Sequence, residues 1–244
     1  MKAILIAILC AMLPLLGVSG NAITYDGWSD QIRVVGSGLP TGNADRTITM
    51  WIKTSVKKNF SGLFNRGSEV LLGMANSSGN AFVSGDKATM NTWPYDLCDG
   101  AEHFVVFRMY LNTATLYVDG VSYGSKNTGV INTSESDAVY LGTVFDRWTM
   151  DGSIGVVSYY DRLLSTEEIE QMWASKGASF LRHGCLFLWT MSGNGKSTGE
   201  THPIGTRIKD SIGSRDGQTS APWSSENIAF VLVSSVTRSK RGRR

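Results

Sequence analysis

Two short segments carry residues suited to ligand recognition. Trp93, Tyr95 and Asp96 fall within four consecutive positions of the segment 91–100 (NTWPYDLCDG), and Arg147 stands beside Trp148 further along. An aromatic ring can stack on the apolar face of a sugar ring while Asp and Arg hydrogen-bond its hydroxyls. Both segments are rich in turn formers, and aromatics on loops are binding candidates. The competing reading makes each ring a plug at the rim of a packed core. Trp51 and Trp189 lie in strand-like runs and read as packing residues.

Other chemistry is poorly supported. His103, His183 and His202 share no metal-ligand spacing. Asp26 with Asp30, Asp96 with Asp99, and Asp146 with Asp151 could offer oxygens to calcium. Aspartate near glycine is more simply a turn former. No metal ligand set and no cofactor is therefore assigned, and calcium has no specific motif. The run 192–198 (SGNGKST) looks like a phosphate loop, but the first glycine of that pattern is replaced by Thr190. Gly199 and Pro203 occupy the place of the helix that should follow, so nucleotide binding is rejected.

The elements that must position these residues are short strands. The chain has 244 residues, 27 of them glycine, and only 18% are charged. Apolar runs recur between Gly, Asn, Asp and Ser clusters, which predicts an all-β sandwich. In 47–54 (TITMWIKT) the period is two, with Ile48, Met50 and Ile52 on one side. The run 103–110, the run 114–118 and the Asp119-Gly120 turn read as consecutive hairpins. The one convincing helix is Thr166–Ala174. Ser165 is its predicted N-cap, and Glu168 three residues on completes a capping box.

The first 20 residues read as a secretory signal peptide: Lys2, a long apolar run, then small Val18 and Gly20 before the cut. The alternative is a membrane anchor, but Pro14 breaks the run near the lower limit for crossing ~30 Å of hydrocarbon. Signal removal leaves no membrane span and places the protein outside the cell or on its surface. It also leaves Cys98 and Cys185, which either pair as a disulfide or stay separate thiols. The net charge is +2, yet the last seven residues include Arg238, Lys240, Arg241, Arg243 and Arg244. Basicity is thus confined to a tail (237–244), which is either a solubilising end or a contact for an anionic partner. Asn59, Asn76 and Asn132 begin glycosylation sequons, relevant in a eukaryotic secretory pathway.

The opening turn Tyr25-Asp26-Gly27, the hairpin Leu116-Tyr-Val-Asp-Gly120 and the closing run 152–169 (GSIGVVSYYDRLLSTEEI) together resemble LamG-like domains. These are laminin G-like members of the concanavalin A-like lectin/glucanase superfamily. The resemblance spans residues 22 to about 176. It implies a jelly-roll sandwich of two antiparallel sheets with one short helix. It also implies that Ile48, Met50, Ile52, Phe104, Val106, Leu116, Val118, Leu141, Ile154 and Val157 face inward. Glycosidases of the superfamily carry Glu-x-Asp-x-x-Glu on one strand, and this chain has no such run. Hydrolysis needs two carboxylates across the scissile bond, so an enzyme is not expected.

The segment 177–223 resembles the part that usually precedes this core, and the expected completing segment runs on to 236. We expect it to complete the same sandwich in permuted order, with Leu186 and Leu188, or Phe187 and Trp189, turned to the core. A separate lobe is the alternative, but so few apolar residues make a poor independent core. The domain plan is a signal at 1–20, a jelly-roll core at 21–176, a completing segment at 177–236 and the tail. The expected function is an exported non-catalytic module for carbohydrate or a surface glycoconjugate. The alternative is a structural or adhesion subunit of a cell-surface or viral assembly without a sugar site. The expected site comprises Trp93, Tyr95, Asp96, Arg147 and Trp148.

Overall fold

The computed structural model describes residues 22–28, 31–34, 38–67, 70–75, 77–85, 89–145, 147–177 and 180–193. Four short strands follow at 201–202, 207–210, 217–220 and 228–229. The expected signal segment 1–20, the tail 237–244, Asp30, Asp146 and residues 194–200 lie outside the described residues.

In chain order the strands are β1 (Ile23–Asp26), β2 (Gln31–Val34), β3 (Arg46–Lys53), β4 (Phe60–Arg66), β5 (Val70–Ala75) and β6 (Asn80–Ser84). Then come β7 (Met90–Asp96), β8 (Glu102–Tyr110), β9 (Thr113–Val118), β10 (Val121–Asn127), β11 (Val139–Leu141) and β12 (Asp151–Tyr160). After the helix α1 (Thr166–Ala174) follow β13 (Cys185–Gly193), β14 (Thr201–His202), β15 (Arg207–Asp210), β16 (Gly217–Ser220) and β17 (Ile228–Ala229). A front sheet runs β10-β9-β8-β3-β12-β13, with β1 on the first half of β12. A back sheet runs β2-β11-β4-β5-β6-β7. The described pairings are antiparallel, as the sequence predicts.

The two sheets pack face to face over one core. Ile48, Met50, Ile52, Leu116, Val118, Ile154 and Val157 of the front meet Phe64, Leu72, Met74, Val83 and Leu141 of the back. On β8 the alternation runs the other way from expectation. Val105 and Phe107 face the other sheet, while Phe104 and Val106 face outward. They are still buried, because α1 lies on the outer face of the front sheet. Its Ile169 and Met172 pack there with Trp51, Tyr117, Tyr160 and Leu164. A strand covered on both faces reads as a continuous apolar run, so HFVVFRMY gives no clue to which side is which.

The helix starts as its sequence dictates. Ser165 accepts from the Glu168 backbone N–H, and the Glu168 carboxylate accepts from the Ser165 N–H at 2.8 Å. Glu168 also takes a two-toothed ion pair from Arg162, at 2.7 and 2.8 Å. One carboxylate thus fixes the helix start to the end of β12.

The segment beyond the helix adds strands to this sandwich. Strand β13 lies against β12, with Trp189 opposite Val157 and Phe187 opposite Tyr159. The rings of Phe187 and Trp189 stack at 4.3 Å between centroids and join the inter-sheet core. The β15–β16 hairpin then carries the hydrogen-bond ladder from β13 across to β2 of the back sheet. At the opposite margin, β7 and β10 are linked by side chains. The Trp93 indole N–H donates to Gly124 O at 3.0 Å, and the Asn91 amide donates to Asn127 O at 2.7 Å.

Two sequence expectations are corrected here. Residues 91–96 form a strand, not a loop, and Pro94 is tolerated because β7 is an edge strand. Cys98 and Cys185 do not form a disulfide. Cys98 sits in the inter-sheet core, whereas Cys185 packs with the cluster under α1, so the front sheet stands between them.

Candidate functional site

One end of the sandwich gathers the turns that follow β1, β3, β5, β7 and β11. The segment 54–60, from the end of β3 to the first residue of β4, is its hub. Lys57 pairs with Asp96 at 2.5 Å, and Lys58 donates to Gly27 O at 2.9 Å. Ser77 N–H donates to Lys58 O at 3.1 Å, and Phe60 stacks on Trp148 at 4.4 Å. The two segments that hold the sequence-predicted residues are therefore tied to one another through four consecutive residues.

The predicted residues fare differently within this frame. Trp148 is half-buried on a loop that folds over the outer face of the back sheet. Its ring stacks on Phe60 and meets Phe145 edge-on at 5.6 Å, so two aromatic neighbours fix it while the residue stays partly exposed. Arg147 beside it is exposed. The loop is held by Gly62 N–H to Trp148 O at 2.7 Å and Met150 N–H to Gly142 O at 2.8 Å.

Trp93 is a correction. It is fully buried, edge-on to Phe107, with its N–H spent on Gly124. Strand alternation turns it into the core, and it has no face for a ligand. Tyr95, two residues on, shares that side but reaches the rim, where it is half-buried against Tyr123 and His103. Burial, reinforced by Asp119 nearby, pushes the Tyr95 hydroxyl up to about 12, so at neutral pH it remains a protonated donor. Asp96 is drawn below the usual carboxylate range by its hydrogen bond from Lys57 and accepts from Cys98 N–H.

Sequence reasoning missed Trp28. It is 85% exposed, the largest such value among the exposed apolar side chains of the described residues. Its signal was its place directly after the Asp26-Gly27 turn, where the chain has no strand in which to bury a ring.

His103 forms a second polar cluster at the same end. Its Nδ1 lies 2.8 Å from Asp119 and its Nε2 3.1 Å from Asp99. A neutral imidazole donates from one nitrogen only, so filling both contacts requires the imidazolium. The Asp119 hydrogen bond accordingly holds the His103 pKa above its ordinary value. A raised folded pKa gives stability that is fully present below the unfolded value, about 6.5, and lost as pH climbs through the folded value. We expect stability to fall across that window by an amount on the order of 1 kcal/mol, damped by the exposure of Asp99, and Tm to fall with it. A His103→Gln variant melted across pH 5 to 9 should lack this drop; an unchanged profile would refute the assignment.

Among the described residues no group of three His, Cys, Asp or Glu side chains is placed to hold a metal ion. No described helix is long and apolar enough to cross a membrane.

A two-sheet antiparallel jelly roll with loop-borne aromatics at one end defines a lectin-type β-sandwich. The chain belongs to the concanavalin A-like lectin/glucanases superfamily: its laminin G-like family model matches residues 26–170. The fold is similar to that of a proposed carbohydrate-binding protein from Bacteroides ovatus ATCC 8483, with a TM-score of 0.64 at 16% identity. That match covers 82% of this chain and 58% of the other, so this chain spans little more than half the length of that relative. It is also similar to the heptameric SAP-like pentraxin of Limulus polyphemus, with a TM-score of 0.52 at 16% identity over 65% of this chain and 83% of the other. No curated protein matches the sequence.

Proposed function

We propose that this chain is an exported, non-catalytic module that binds carbohydrate or a surface glycoconjugate through the loop end around Trp148. The observation that carries the reading is the Trp148 ring, backed by Phe60 and flanked by exposed Arg147. A partly exposed ring already held by packing offers an apolar platform at little cost in side-chain entropy. Arg147 and Tyr95 add donors, and Asp96 adds an acceptor, along the same rim. The absence of the Glu-x-Asp-x-x-Glu run supports binding without hydrolysis. The fold shared with the Bacteroides protein supplies an architecture suited to this role and nothing finer.

The adhesion or structural reading has its own support. Strand β10 ends the backbone ladder of the front sheet, and Val121, Tyr123, Tyr110, Leu111 and Val130 around it are exposed. Such an edge is a template for pairing with another chain. A glycan array separates the two. Binding that falls at least tenfold in a Trp148→Ala variant of unchanged Tm supports the carbohydrate module. Assembly at native mass without binding to any glycan would favour the second reading.

A further inference from the structure

We propose that Trp28 is the second platform of this surface, so that the ligand is a glycan chain of two or more rings and not a single terminal sugar. The inference rests on the carbohydrate reading above and extends it to the length of the ligand.

Indole rings are buried on average, and one that is 85% exposed contributes nothing to the core. Yet the backbone that presents it is firmly held. The Trp28 N–H donates to the Asp26 carboxylate at 2.9 Å. The Gly27 carbonyl accepts from the Lys58 ammonium at 2.9 Å and from the Thr149 hydroxyl. Gly27 itself has φ +84°, and any Cβ there would strike the Lys58 ammonium and the Asp151 side chain. A presented ring on a fixed backbone is a pre-organised contact.

The Gly27–Thr149 bond also sets the spacing. Trp28 follows Gly27, and Trp148 precedes Thr149, so the two indoles flank one hydrogen bond. Two peptide steps and that bond place their Cα atoms no more than about 15 Å apart. That limit keeps both indoles within reach of successive rings of one chain. Lys58 stands between them. Its ammonium has three donors, of which Gly27 O and Thr149 O at 3.5 Å take two. The third can reach a sugar hydroxyl or ring oxygen lying across the gap.

The test is titration calorimetry of the full chain with cello-, laminari-, xylo- and chito-oligosaccharide ladders of one to six units, for wild type, Trp28→Ala, Trp28→Phe and Trp148→Ala. Melting curves confirm that each variant folds. The expected result is an affinity that rises at least tenfold from one unit to three. Trp28→Ala flattens that rise while leaving binding of the single unit intact, Trp28→Phe restores part of it, and Trp148→Ala weakens every length. A flat ladder in wild type, or an undiminished rise in Trp28→Ala, overturns the second platform while leaving the carbohydrate reading standing. No binding to any member at any length overturns both.

Discussion

A chain ending at Lys176 is expected to lose its cooperative melting transition. It would lack β13, and with it Phe187, Leu188 and Trp189, each fully buried. Replacing a single buried Phe or Trp by Ala typically costs about 3–5 kcal/mol. Losing three large side chains and the β12–β13 ladder exceeds much of the ~5–15 kcal/mol that holds a domain together. Tyr159, which lies 5.4 Å from Phe187, would be laid open, as would one edge of β12. The measurement is thermal melting of 21–176 beside the full chain, followed by near-ultraviolet circular dichroism. A sharp transition within a few degrees of full length would mean that 177–236 is an appendage, and the proposal that it completes the sandwich would fail.

The second large effect comes from one methyl group. A Cβ built on Gly62 falls inside contact distance of the Thr143 carbonyl carbon and the Val144 nitrogen. Both are backbone atoms, so no rotamer change relieves the clash, and the loop 143–150 must lift. Gly62→Ala is therefore expected to cost about 2–3 kcal/mol, lowering Tm by roughly 5–10 °C. Lifting the loop also breaks the bond from Gly62 N–H to Trp148 O and uncouples Trp148 from Phe60. Glycan binding should fall with stability, although residue 62 touches no ligand. Retained binding at wild-type affinity would show that the platform does not depend on the loop seat.

How far the sequence reveals this molecule depends on how local each signal is. The capping box at Ser165 and Glu168 is a matter of three residues, and it forms as written. The period-two pattern of β3 likewise selects Ile48, Met50 and Ile52 for the core. The reading fails where burial comes from a distant element. Phe104 and Val106 are turned outward, but α1, more than fifty residues later, covers them. The sugar-site candidates divide in the same way. Trp148 reaches a partly open position because its loop is local in origin. Trp93 does not, because Pro94 and the turn formers around it suggest a loop while Trp93 and Tyr95 at i and i+2 obey the strand alternation of β7. Cys98 and Cys185 illustrate a further limit, since spacing along the chain does not say on which face of a sheet each thiol falls.

The continuous ladder through β13, β15, β16 and β2 gives the molecule the mechanics of a closed book. That ladder is the spine, where main-chain bonds join cover to cover. The far margin is a clasp: among the described residues an indole and an amide from β7 are hooked onto two carbonyls of β10, Tyr95 packs on Tyr123, and Gly85 N–H donates to Thr128 O. Peeling the clasp breaks these few contacts and leaves each cover's own ladder intact, whereas parting the spine tears a continuous run of backbone pairing. Thermal breathing should thus begin at β7 and β10 and swing about the opposite side. Amide protons would then exchange on a gradient across the width of the sandwich, and the rim that holds Tyr95 and Tyr123 would feel that opening first.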